Sequence, residues 1–274
     1  MSTDEVRVSA EWLTLRERAD AAARSADLVE ELRSYLPTGG VTRVHDLGSG
    51  TGSMARWLAP QLAGRQHWVL FDRDAELLGP AVADPPRSAA DGAPVTIETR
   101  AGDITRLQPT ELSGAALITA SALLDMLTAE ELERLVSTSA AAGCPVLIAL
   151  SVTGRVDLAP TDPFDRCVSE AFNAHQRRNT ASGRLLGPDA VRAALDCFTR
   201  LGVEVLVRPS PWRLGPGQAA LAAEWFTGWL GAACEQRPEL SGAAPSYAQR
   251  RLAEAADGRL SVTVHHQDLL ARPR

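Results

Sequence analysis

Residues Val41 to Ser53 read VTRVHDLGSGTGS, and their order decides the fold. Val44 and Leu47 suit the tail of a buried strand. Three glycines follow that a helix interior would not accept without cost, and Ser53 can cap a helix beginning after them. The expected unit is a strand, a tight glycine turn and a helix. Without a Cβ at Gly48, Gly50 and Gly52, the backbone can lie against a ligand at the positive end of that helix.

A dinucleotide fingerprint would read G-x-G-x-x-G, but here the pattern is D-x-G-x-G-x-G, headed by Asp46, with Ser53 where a later glycine would stand. A glycine turn without a ligand, or a variant nicotinamide site, would share the local geometry. The pattern resembles motif I of the class I S-adenosylmethionine-dependent methyltransferases. That resemblance implies that Asp46 lies near the methionyl ammonium of the donor, and that the turn of Gly48, Ser49, Gly50 and Gly52 lines its methionine and ribose.

The segments that follow alternate as such a fold requires. Met54 to Leu62 suits a helix and His67 to Phe71 a buried strand ending at Asp72. This acid stands near the spacing of about 20 residues past the glycines at which a carboxylate accepts from ribose hydroxyls. Arg73 adjoins it in the expected cofactor site, and Asp74 suits the cap of a helix from Ala75 to Val82. After a Pro/Gly-rich loop, Val95 to Thr99 alternates like a strand and leads to Gly102-Asp103-Ile104. The family resemblance implies that Asp103 accepts from the adenine amine and that Ile104 packs on the ring; a plain turn with a helix cap reads equally well. Ala115 to Thr119 is the fourth strand, and Ser121 and Asp125 follow its carboxyl end, where ligands of parallel sheets bind. The N-P-P-[YF] tetrapeptide of amide and exocyclic-amine methylators is absent. Thr128 caps a helix to about Ala142, and Pro145 to Leu150 is the fifth strand.

Before the turn, Glu11 to Leu36 reads as one amphipathic helical region, with Trp12, Arg16, Asp20 and Arg24 as candidates to face the donor. Beyond Ser151, Asp162 to Arg178 reads as a polar helix overhanging the carboxyl edge. A helix (Pro188 to Leu201), a strand (Val203 to Arg208), two more helices (Pro216 to Gln236, Ser246 to Ala256) and a last strand (Arg259 to His266) follow. The expected fold is α/β: a doubly wound, mainly parallel seven-stranded sheet, Rossmann-like as in class I methyltransferases. Helical additions are expected at the N-terminus and between the last two strands. Residues 1–40 form an N-terminal helical cap and 41–274 the methyltransferase domain, with helical insertions near 157–187 and 214–257.

The chain has 274 residues and a net charge of −6, with basic residues spread along it, so the footprint of a nucleic-acid binder is missing. All 28 basic residues are arginine, which removes Schiff-base and lysine-base chemistry. The four cysteines stand far apart, no metal constellation stands out, and neither a membrane span nor a secretory signal is visible. The expected partners are a small-molecule substrate and at most a second copy of the chain as a homodimer, with no nucleic acid and no membrane. The expected location is cytoplasmic. The resemblance implies transfer of a methyl group from S-adenosyl-L-methionine to a metabolite or natural-product intermediate, leaving S-adenosyl-L-homocysteine. A non-catalytic donor-binding protein and a nicotinamide-dependent oxidoreductase are the alternatives. Of five histidines, His175 lies in the overhanging segment and is the candidate base or substrate ligand, with Asp125 and Glu170 as the alternatives. His45 and His67 sit within strands, and His265 and His266 lie near the chain's end. Trp225, Phe226 and Trp229 are read as core, with a substrate cavity as the other possibility.

Overall fold

The computed structural model of the chain describes residues 8–273. Two helices, α1 (Ala10–Ala23) and α2 (Ala26–Arg33), precede the first strand, β1 (Val41–Leu47). The sequence read them as one helix. The break falls at Arg24 and Ser25, because the Ser25 hydroxyl accepts from Leu28 N and starts α2 as a new helix. After β1 come α3 (Ser53–Leu58), β2 (Arg65–Asp72), α4 (Ala75–Ala83), β3 (Val95–Ala101), β4 (Leu117–Ser121), α5 (Ala129–Ala141) and β5 (Val146–Ala159). Asp74 caps α4 through Glu76 N, and Thr128 caps α5 in a reciprocal box with Glu131. Helix α3 begins at Ser53 itself, so that hydroxyl is not its cap and is used elsewhere.

The second half holds α6 (Asp165–Gln176), a small hairpin of β6 (Asn179–Thr180) and β7 (Gly183–Arg184), α7 (Ala190–Arg200), β8 (Glu204–Pro209), β9 (Trp212–Leu214), α8 (Ala219–Gln236), α9 (Ala244–Ala256) and β10 (Ser261–Arg272). The main sheet has eight strands, ordered β3-β2-β1-β4-β5-β10-β8, with β9 on β10. Strands β1 to β5 run parallel, and β10 is antiparallel to both neighbours. The sheet is covered on both faces. On β2, Val69 and Phe71 pack with α5 and α7, while Trp68 and Leu70 pack with α2, α3 and α4. This is the period-two alternation of a strand buried on both sides. Among the described residues no helix is long and apolar enough to cross a membrane.

Two strands are much longer than their sequence signal. β5 continues to Ala159 and β10 to Arg272, and they pair along nearly their whole length. Two bulges break their register. Ala149 and Leu150 oppose Asp268 alone, and Thr153 to Arg155 oppose His265 alone. Leu150 and Gly154 carry the left-handed backbone these bulges demand, at φ 57° and 78°. Gly154 is irreplaceable there on two counts: a Cβ would also lie 2.7 Å from Pro188 and 2.9 Å from Asn173 Oδ1. The bulges carry the β5–β10 ribbon beyond the carboxyl edge, where β9, α6, α8 and α9 close a third apolar cluster around Phe226 and Trp229.

Asp268 pins the first bulge. Its buried carboxylate accepts from Leu150 N at 2.7 Å, from Ser25 N at 2.8 Å and from the Ser210 hydroxyl, tying β5, α2 and the chain after β8 to β10. Asp268→Ala strands these donors without water, and urea unfolding is expected to show a loss of about 3 kcal/mol or more.

Candidate active site

The carboxyl ends of β1, β2 and β4, the base of α1 and the β5–β10 ribbon enclose a cavity of about 650 Å³. Its first compartment is built on the glycine turn. Asp46, fully buried at the end of β1, accepts from the Thr119 hydroxyl at 2.7 Å through Oδ1, while Oδ2 has no partner. Burial raises its carboxyl to about 7, against the opposing pull of the Thr119 hydrogen bond and the Arg24 charge; Asp72 adds to the rise. Asp72 does a job the sequence did not announce. Its Oδ2 accepts from Gly50 N at 2.7 Å and its Oδ1 from Asp74 N at 2.9 Å, so it braces the turn from the next strand. Each oxygen keeps a lone pair for a further donor.

Of the residues expected at the cofactor, Asp46, Gly48, Ser49, Gly50, Asp72 and Arg73 line the cavity, and so do Asp103, Ile104 and Ser121. Gly52 does not. It sits at φ 83° behind the turn, with Ala81 3.0 Å from where its Cβ would be, and serves to start α3 against α4. Asp103 is a turn cap as well as a wall residue: Oδ1 accepts from Thr105 N at 2.9 Å and from the Thr105 hydroxyl at 2.7 Å. The reading as a turn cap therefore describes it, and it stands on the cavity wall as well.

Helix α1 roofs the cavity. Trp12, Leu13, Arg16 and Asp20 line it, and Leu13 lies 2.9 Å from the position a Cβ on Gly50 would take. Arg24, at the end of α1, is buried with Nη2 3.1 Å from both the Ser53 and the Ser121 hydroxyls, which clips the helix to the turn and to β4. Arg56 holds Glu17 through two bonds of 2.7 Å. Ala122, next to Ser121, has φ 51°, a conformation few side-chain-bearing residues adopt. The chain turns sharply there, and Asp125 reaches the cavity wall. Burial raises the Asp125 carboxyl, and the charges of Arg16 and Arg178 oppose the rise.

The second compartment lies under the ribbon, lined by Phe172, Asn173 and Gln176 of α6, Trp225 of α8, Trp212 and His266. His175 is not on the wall. The face of α6 carrying Phe172, Asn173 and Gln176 meets the cavity, and the His175 ring turns toward α8, where Nε2 stands 3.2 Å from Glu235 Oε2. Its imidazole is held below the usual range by burial and by Arg178. His175→Ala is expected to change turnover by less than about twofold, since loss of a side chain outside the reacting geometry removes no transition-state contact; single-turnover assays check this.

His266, unlike His175, does line the cavity, and sequence reading passed over it. It shares a strand face with buried Val262 and Val264, so period-two alternation pointed inward. Burial and Arg16 push its imidazole down to about 3, so it is neutral. The aromatic cluster divides by role: Phe226 and Trp229 are core, while Trp225 reaches the cavity.

No protein-family model matches the sequence, and no curated protein matches it. Among solved structures, the cyclopropane synthase MmaA2 from Mycobacterium tuberculosis aligns over 97% of this chain and 95% of its own, at 10% identity and a TM-score of 0.51. A SAM-dependent methyltransferase from Thiobacillus denitrificans in complex with S-adenosyl-L-homocysteine aligns over 98% and 100%, at 14% identity and 0.48. One from Geobacter sulfurreducens, with the same ligand, aligns over 97% and 99%, at 17% and 0.45. The strand order and the likeness to MmaA2 establish the Rossmann-like class I methyltransferase fold.

Proposed function

We propose that the protein is an S-adenosylmethionine-dependent methyltransferase acting on a small-molecule acceptor. The observation that carries this reading is the unpartnered Oδ2 of Asp46, a buried carboxylate oxygen on the wall of a cavity at the glycine turn. A buried acid without a partner is costly, and a cationic ligand group removes the cost. The same acid opposes a nicotinamide cofactor, whose pyrophosphate would meet a carboxylate where it needs bare backbone N–H groups.

The residues present fit the donor. Asp46 would hold its ammonium, Asp72 its ribose hydroxyls through the spare lone pairs, and Asp103 and Ile104 its adenine. When bound, S-adenosylmethionine supplies an electrophilic methyl group on a sulfonium, and displacement in line cancels charge. The protein's part is then to align acceptor and donor and to exclude water, which α1 does from above. Asp125, past the end of β4 and in the wall of the cavity, would take a proton from the acceptor.

Calorimetry with S-adenosylmethionine and S-adenosylhomocysteine tests the first half, and methyl-labelled donor with a metabolite extract tests the second. Saturable one-site binding of both, with label passing to a small molecule, is the expected result. Binding without transfer would leave a donor-binding protein, and binding of a nicotinamide dinucleotide in their place would overturn the reading.

A further inference from the structure

The compartment under the ribbon is walled by rings and holds a preset group of polar atoms. Trp12 and Trp212 have centroids 6.4 Å apart, and the Arg16 guanidinium lies 4.8 Å from the Trp212 ring. Asp20 fixes that guanidinium through Nε and Nη2 and also accepts from Trp212 Nε1 at 2.9 Å. Arg16 Nη1 makes no hydrogen bond among the described residues, and Arg16 lines the cavity. The His266 ring centroid also stands 5.5 Å from that of Trp212. His266 Nδ1 is buried without a hydrogen-bond partner among the described residues, and a neutral ring protonated on Nε2 leaves only a lone pair there. Arg16 and His266 thus offer two donors around one tryptophan, and Arg16 acts electrostatically on Asp125 as well.

Arg16 is already neutralised by Asp20, so this group is poorly suited to binding a full anion. It is suited to an oxygen that becomes negative during reaction. We propose that the acceptor is an aryl hydroxyl compound, its ring seated among Trp12, Trp212 and Trp225, and that Arg16 and His266 stabilise the oxygen as Asp125 takes its proton. This rests on the methyltransferase reading. In the step, the aryl O–H proton passes to the Asp125 carboxylate, the oxygen pair forms the new O–CH₃ bond, and the donor's S–CH₃ pair returns to sulfur, giving aryl methyl ether and S-adenosylhomocysteine. A flat ring presents large apolar area at little conformational cost, which is what tryptophan walls reward.

The probes are 2-naphthol, 2-methoxynaphthalene and decahydro-2-naphthol, titrated by calorimetry into the full chain saturated with S-adenosylhomocysteine. The expected order has 2-naphthol at least tenfold tighter than either control, and methyl-labelled donor then gives 2-methoxynaphthalene. Arg16→Met is expected to lower that transfer at least tenfold with S-adenosylhomocysteine affinity held within about twofold. Trp225→Leu, which leaves the Asp20 pair intact, is expected to abolish the preference for the aromatic over the saturated alcohol. Equal binding of the methyl ether or of the saturated alcohol overturns the proposal, as does undiminished transfer in Arg16→Met. Failure of all three probes to bind a protein that binds S-adenosylhomocysteine overturns it while the methyltransferase reading stands; failure of S-adenosylhomocysteine itself to bind overturns that reading.

Discussion

Asp46→Ala is expected to weaken S-adenosylmethionine binding by about 100-fold, because removing one partner of a buried charge pair costs about 2–5 kcal/mol. Asp46→Asn separates charge from shape and should lose nearly as much. The wild-type effect must depend on pH, and its sign follows from the raised carboxyl at about 7. Below that pH the free protein carries a proton on Asp46 which the donor's ammonium displaces, so affinity rises with pH up to about 7 and a proton is released on binding. Calorimetry at pH 6 in buffers of different ionisation heat counts that proton; in Asp46→Asn the count should fall to zero. The same acid acts on stability in the opposite direction. Its folded carboxyl is raised above the ordinary 3.8, so the free protein loses stability from this group as pH climbs from about 4 to about 7. His45 and His266, held neutral at about 4 and about 3, cost stability as pH falls below 6.5.

Asp125→Asn is the second large effect. The amide keeps the shape of the wall and removes the proton acceptor, so turnover should fall by about 10²–10⁴-fold, the range general bases contribute. Donor affinity should stay within about twofold, which distinguishes this variant from Asp46→Ala. Because burial raises the Asp125 carboxyl, the acid limb of the wild-type rate profile should lie above the ordinary carboxylate range. The rate falls as pH drops through it, since only the ionised form takes a proton. A profile without that limb, or an asparagine variant with wild-type turnover, removes Asp125 from the chemistry.

What the sequence disclosed followed from locality. The β1–turn–α3 unit, the Asp74 cap and the Thr128 box each lie within a few residues, and short-range geometry determines them. The full reach of β5 and β10 was not legible, because two bulges interrupt the period-two pattern and the partner strands lie about a hundred residues apart in the chain. β9 has three residues and exists through its pairing with β10. The site divides in the same way. The compartment at the glycine turn begins on one local motif, so Asp46 was legible from the motif, Asp72 from its distance past the glycines and Ser121 from its place after the fourth strand. The second compartment gathers Trp12, Trp212 and His266 from three distant segments, and no local pattern joins them. His175 drew attention by its sequence neighbours, while the helix turned its ring toward Glu235.

Helix α1 is a wall common to both compartments: Leu13 lies over the glycine turn, and three residues on, Arg16 stands among the rings. A rigid rod touching two guests cannot shift for one without altering the fit of the other. Whatever change in affinity a guest in one compartment works on the other through this wall is returned by the same factor.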